Sequence, residues 1–208
     1  MATTKRGRNV ADKGGDRVKA VQQELDEERR ARRALVEASV RLNSLLSLPE
    51  LLAATMKTAS DLMNAETSSI LVLDEGGKEL TFAVATGKAG ESVNEMRVPA
   101  DQGIAGWVLK NGKAAIVNDV KKDKRFYAQI DRGSGFSTKS ILAVPLRIRD
   151  RAIGVVEVIN KKGGAGFTAR DEETAGALAA QAAVAIENAR LYQKLADAVV
   201  ESRMSYRL

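Results

Sequence analysis

Ser140-Ile141-Leu142-Ala143-Val144-Pro145-Leu146-Arg147-Ile148-Arg149-Asp150-Arg151-Ala152-Ile153-Gly154-Val155-Val156-Glu157-Val158-Ile159-Asn160 is the stretch that decides the fold. Two apolar runs, 140–148 and 152–160, flank the turn Arg149-Asp150-Arg151. Both have strand length and are rich in β-branched residues, so the pattern predicts an antiparallel hairpin.

Working outward, Ser69-Ile70-Leu71-Val72-Leu73-Asp74 and Glu79-Leu80-Thr81-Phe82-Ala83-Val84-Ala85 form a second predicted hairpin around Glu75-Gly76-Gly77-Lys78. Met96-Arg97-Val98-Pro99 reads as a short strand leading into a helix of small residues from Gly103 to Leu109. Asn111-Gly112 ends that helix, and Ala114-Ala115-Ile116-Val117 follows as a strand. The polar stretch from there to Thr138 reads as irregular. Upstream, a helix begins near Pro49 and runs to about Ala65, with Leu51, Leu52, Met56, Ala59 and Met63 at helical spacing. Downstream, Thr168 suits an N-cap, and Asp171 and Glu172 in the first turn complement the helix dipole. No breaker interrupts that last helix before about Ser205, which makes it longer than one domain can cover. Strands that meet as hairpins, bounded by helices at both ends, predict an α+β fold: an antiparallel sheet with helices packed on one face.

The N-terminal segment is of another kind. Residues 1–15 mix Lys, Arg, Gly and Asp without periodicity and read as a disordered basic tail. Within 16–48, steps of three and four from Val18 reach Val21, Leu25, Glu28, Arg32, Leu35, Ser39, Leu42 and Leu46, and six of these nine positions are apolar. Such a helix would extend about 42 Å, which suits a two-chain coiled coil. A single amphipathic helix lying on its own domain is the other reading.

Composition narrows the function. The chain has 208 residues, of which 44% are hydrophobic and 29% charged, as in soluble globular proteins. Its apolar runs are too short to cross a bilayer, and its N-terminus lacks the apolar core of a signal peptide, so a cytoplasmic location without membrane association is expected. There is no Cys and no His. That excludes disulfides, thiol nucleophiles, His general bases, Cys/His zinc sites and His-ligated haem. Of the net charge of +6, residues 1–41 carry +4 and the other 167 only +2, so the folded part offers no phosphate-binding face and nucleic acid is not an expected partner.

Three segments together resemble the GAF domain family: Val98-Pro99-Ala100-Asp101-Gln102-Gly103-Ile104-Ala105-Gly106-Trp107, then Gly135-Phe136-Ser137-Thr138-Lys139-Ser140-Ile141-Leu142, then Gly154 to Lys161. Asn160-Lys161, Phe167 and Asp171-Glu172 match the signature of the branch found in cyclic-nucleotide phosphodiesterases and adenylyl cyclases. The resemblance covers about 49–192, leaving 193–208 as an extension of the last helix. It implies a six-stranded antiparallel sheet with helices on one face and a small-molecule pocket on the other. It also implies a structural Lys161–Asp171 salt bridge and terminal helices that form a dimer.

Carried over by motif, the pocket would be lined by Ser69, Ala85, Thr86, Ile104, Ala105, Ile130, Asp131, Ser134, Thr138 and Glu157, with Tyr127–Thr138 as a lid. Ile104 and Ala105 would contribute backbone groups at a helix start, where free N–H groups favour a phosphate. The resemblance implies cAMP or cGMP as ligand and requires no cofactor or metal. At the second strand Ala85-Thr86 stand where nucleotide-binding members carry Phe-Asp. A stacking ring contributes about 1–3 kcal/mol, so a ring from Phe136 or Tyr127, or another metabolite, enters the reading. The function expected is a non-enzymatic signalling module that dimerises and binds a small ligand. The alternative is a ligand-free dimeric scaffold that recruits a kinase, phosphodiesterase or cyclase.

Overall fold

The computed structural model describes residues 47–87, 90–93 and 95–205, together with 21–23, 25, 26 and 29, which are helical. The expected tail 1–15 and most of the expected helix 16–48 lie outside the described residues. From residue 48 onward the elements are α1 (Leu48–Leu62), β1 (Ala65–Leu73), β2 (Glu79–Ala85), α2 (Gly90–Val93), β3 (Arg97–Pro99), α3 (Gly103–Asn111), β4 (Ala115–Val117), a 3-10 turn (Val120–Lys122), α4 (Gln129–Ser134), β5 (Ile141–Ile148), β6 (Arg151–Lys161) and α5 (Ala169–Ser205). The strands form one six-stranded sheet in the order β3-β2-β1-β6-β5-β4, every neighbouring pair antiparallel.

Both predicted hairpins are present. In the first, Asp74 accepts from the backbone of Lys78 (2.8 Å) and Glu79 (3.0 Å), which fixes the tight return. In the second, β5 and β6 pair through Ile148 and Arg151 across a turn in which Arg149 has φ 53°. Gly154 on β6 admits no side chain, because a Cβ there would lie 2.2 Å from the Leu71 carbonyl oxygen on β1.

Alternation along the central strands sends side chains to two separate cores. On one face Ile70, Leu142, Val144, Val156 and Val158 meet Leu52, Met56 and Ala59 of α1 and Ala175, Ala179, Ala182, Ala183 and Ile186 of α5. The small residues on α5 let its backbone approach the sheet closely. On the other face Leu71, Leu80, Ala143 and Val155 pack under Ile104, Ala105 and Val108 of α3. The expectation of helices on one face is therefore corrected: the long helices share a face, but the short ones cover the opposite one.

Two boundaries also differ from expectation. The first helix stops at Leu62, and Asn64 turns the chain at φ 49°, a conformation that Asn tolerates. Strand β1 then starts at Ala65, four residues before the expected Ser69, because Thr67 and Ser68 pair with Ile159 and Val158 of β6. The supposedly irregular stretch before Thr138 holds the 3-10 turn and α4. Helix α4 is six residues long and contains Gly133, too short to show an apolar period. The final helix runs to Ser205 as the sequence predicts, and no described helix is long and apolar enough to cross a membrane.

Candidate functional site

Beneath α3 and α4 the sheet carries a row of small side chains. Ala85 pairs with Ser69, Ser69 with Glu157, Glu157 with Ala143, and Ala143 with Ala115, one residue from each of β2, β1, β6, β5 and β4. Four of the five are Ala or Ser, so the sheet recedes on both sides of Glu157 and leaves space under the short helices. Two adjoining cavities of about 60 and 50 Å³ fill it, sharing Phe82, Ile130, Asp131, Thr138, Glu157 and Ile159.

Nine of the ten residues assigned to a pocket from the sequence line these cavities. Ile104 and Ala105 border the first; Ser69, Ala85 and Ser134 border the second; Ile130, Asp131, Thr138 and Glu157 border both. Thr86 is placed elsewhere: its hydroxyl donates to the Ser68 carbonyl (3.1 Å) and accepts from the Ser68 amide (3.0 Å), stitching the ends of β1 and β2 together. Tyr127 lines the first cavity and Phe136 the second, so both candidate rings reach the space.

Phe82 is the residue that sequence reasoning missed. Strict alternation from Ala85 would aim Ala83 at the cavity. Instead the pairing of β1 with β2 slips between Ile70 and Leu71, so that Leu71 faces Phe82 and Ala83 is left exposed. The bulge thus puts an aromatic ring into both cavities.

The roof is fastened at several points. Asp131 on α4 accepts from the Thr138 amide (2.8 Å) and hydroxyl (2.6 Å), so its two oxygens close the segment between them. Asn160, buried at φ 58°, accepts from the Lys139 amide (2.6 Å) and donates to the Ser137 carbonyl (2.8 Å) and to Glu66 (2.9 Å). At the other end Arg125 pairs with Asp123 (2.6 Å) and sits 4.6 Å from the centre of the Trp107 ring. The first turn of α3 lines the first cavity, and Gln102 before it provides no side-chain cap, so the opening N–H groups of that helix have no partner of their own.

The remaining signature residues lie away from the cavity. Lys161 at the end of β6 donates to both oxygens of Asp171 at 2.6 Å, and Asp171 also accepts from the Thr168 amide and hydroxyl (each 2.8 Å). Burial works against ionisation of Asp171, yet these bonds hold it below the ordinary carboxylate range. Phe167 is buried; its amide donates to Asn118 (2.6 Å), and Lys161 lies 5.7 Å above its ring. Glu172 is exposed on the first turn of α5.

Electrostatically the cavity is one-sided. Among the described residues its charged lining is Asp131 and Glu157, with no Lys or Arg. Burial, and then the neighbouring Asp131, push the Glu157 carboxyl up to about 7. No hydrogen bond from a described residue reaches that carboxyl. Beside it the Ser69 hydroxyl, on a residue only 3% exposed, has no partner either. Buried polar atoms normally find partners, so an orphan facing a cavity marks a place where something can be held.

Residues 46–187 match the GAF domain family model. The chain is 31% identical over 162 residues to the probable 3',5'-cyclic phosphodiesterase pde-5 of Caenorhabditis elegans, a match that covers 74% of this chain and 22% of that protein. Among solved structures, it resembles the GAF domain of a phosphoenolpyruvate-protein phosphotransferase from Acinetobacter (TM-score 0.60, 24% identity, 76% of this chain and 92% of that one). It also resembles free methionine-R-sulfoxide reductase from Neisseria meningitidis, solved with its substrate (TM-score 0.57, 22% identity, 70% and 81%). At these identities the two structures share the fold.

Proposed function

The chain belongs to the GAF domain family, and from that premise we propose that it is a non-enzymatic signalling module, holding a small molecule in the cavity over β6 and pairing with a second copy through its terminal helices. The observation that carries this reading is the unpartnered Ser69 hydroxyl next to Glu157 in a cavity with a fastened roof. An occupant would pair with these groups and with the segment between Asp131 and Thr138, coupling occupancy to the order of the roof. Without Cys or His in the chain, and with no hydrogen-bond set among the described residues that activates a nucleophile, the cavity is suited to binding.

Pairing is supported by α5. Val184, Leu191 and Leu195 are 54%, 55% and 57% exposed and recur at steps of seven and four, the spacing of a helix–helix seam. Candidate downstream partners are a kinase, phosphodiesterase or cyclase in the cytoplasm, and cAMP or cGMP is a candidate ligand by likeness to the phosphodiesterase. A second reading, a ligand-free dimeric scaffold, is favoured by the small size of the cavities. Native mass spectrometry of the protein purified from its own host tests both. A dimer retaining a small molecule supports the module, an empty dimer supports the scaffold, and a monomer with no retained molecule counts against both.

A further inference from the structure

We propose that the ligand class of this cavity is a small apolar molecule bearing a protonated primary amine, with the ammonium seated between Glu157, Asp131 and the Ser69 hydroxyl. The proposal rests on the reading of the cavity as a ligand site and adds the chemistry of its occupant.

Three independent features converge. The first is charge. Among the described residues two carboxylates and no basic side chain line the space, and an anionic occupant would meet their repulsion away from the first turn of α3. An ammonium donates three hydrogen bonds and accepts none, which matches a wall of acceptors. The second feature is vacancy of bonding: the Ser69 Oγ is buried without a hydrogen-bond partner, on the strand paired beside Glu157. Asp131 already accepts twice from Thr138, so its contribution is charge together with the spare lone pairs of its two oxygens. The third is size and surface. The two adjoining cavities measure about 60 and 50 Å³, a scale that suits a small occupant. Leu71, Phe82, Ile130 and Ile159 supply an apolar wall beside the acidic floor.

The carboxyl of Glu157 titrates near neutrality in the empty cavity, and a cation beside it favours the ionised form. Binding an ammonium therefore releases a proton below about pH 7. Among the described residues the other titratable groups facing the space are Asp131 and Tyr127, neither of them basic. Affinity should weaken about tenfold from pH 8 to pH 6 as Glu157 takes up its proton.

Isothermal titration of the full chain with isopentylamine, leucine, 4-methylpentanoate and cAMP at pH 8 and pH 6 tests this. Binding of isopentylamine or leucine, weaker at pH 6 and lost at least tenfold in Glu157→Gln with the wild-type fold retained, is the expected result. The contrast between those two probes shows whether the unpartnered N–H groups of α3 take a carboxylate as well. Ser69→Ala, which removes only one hydroxyl, should weaken the amine several-fold. Binding of 4-methylpentanoate or cAMP in preference to the amines would leave the ligand-site reading standing and overturn the proposal. Amine binding indifferent to pH and to Glu157→Gln would also overturn it. Absence of binding by all four probes, with no molecule retained in native mass spectrometry, would overturn both.

Discussion

Asp131 grips Thr138, seven positions further on, by both its amide and its hydroxyl, at 2.8 and 2.6 Å, and the segment between them roofs the cavity. The clasp is local in sequence, and residues 129–135 bury no side chain completely, although Ile130 packs against the second core. Hydrogen exchange of amides 128–138 in Thr138→Val should accelerate about tenfold, with the amides of β5 and β6 unchanged. Equal acceleration across the sheet would show that the roof is part of the global folding unit.

Glu157 gives a pH signature in the empty protein. Its carboxyl titrates at about 7 in the folded chain, against 4.5 for the ordinary group. A raised carboxylate pKa means that the folded state binds the extra proton, so this contribution is fully present below pH 4.5 and is lost as pH rises to 7. Glu157→Gln removes the loss. The variant should melt about 4–8 °C above wild type at pH 8, for about 2 kcal/mol recovered, and near wild type at pH 4.5. Calorimetric scans at the two pH values check the difference.

Lys161 and Asp171 join the last strand to α5, with side chains 16% and 11% exposed. Removing one partner strands the other, so Lys161→Ala should cost about 3 kcal/mol in urea unfolding at pH 7. The double variant K161M/D171L should recover much of that loss. Because the Asp171 carboxyl lies below its ordinary value of 3.8, its contribution holds above that pH and fades as pH falls further.

The exposed stripe on α5 predicts an assembly effect. Leu191→Lys with Leu195→Lys should shift the chain from dimer to monomer in sedimentation velocity at micromolar concentration, leaving the far-ultraviolet helix signal of the GAF core in place. A wild-type chain already monomeric at that concentration would remove the basis for pairing through this face.

Much of the sheet was legible from residues alone, because alternating β-branched runs around Gly76-Gly77 and Arg149-Asp150 leave few other pairings. The last helix was legible from Thr168 and its following acids. Residues 65–68 were not, since Glu66, Thr67 and Ser68 are too polar to read as a strand, and pairing with β6 makes them one. Helix α4 was hidden by its length. Most of the cavity came through the family motifs, and the physical state of its floor did not: that Ser69 sits opposite Glu157 unbonded is a fact of register between strands eighty-odd positions apart. Thr86 went astray because a polar residue at a strand end serves equally as a stitch between strands.

The slip between β1 and β2 near Leu71 has a consequence for how such cavities diversify. Whether the pairing slips at this point decides whether a phenyl ring or a methyl group looks inward, without any exchange of side chains. Deleting Ala83 would remove the slip and keep Phe82 opposite Leu71, whereas pairing without the slip and with Ala83 retained would turn Ala83 inward in its place. In this scaffold the chemistry offered to a ligand is set by strand register as well as by composition.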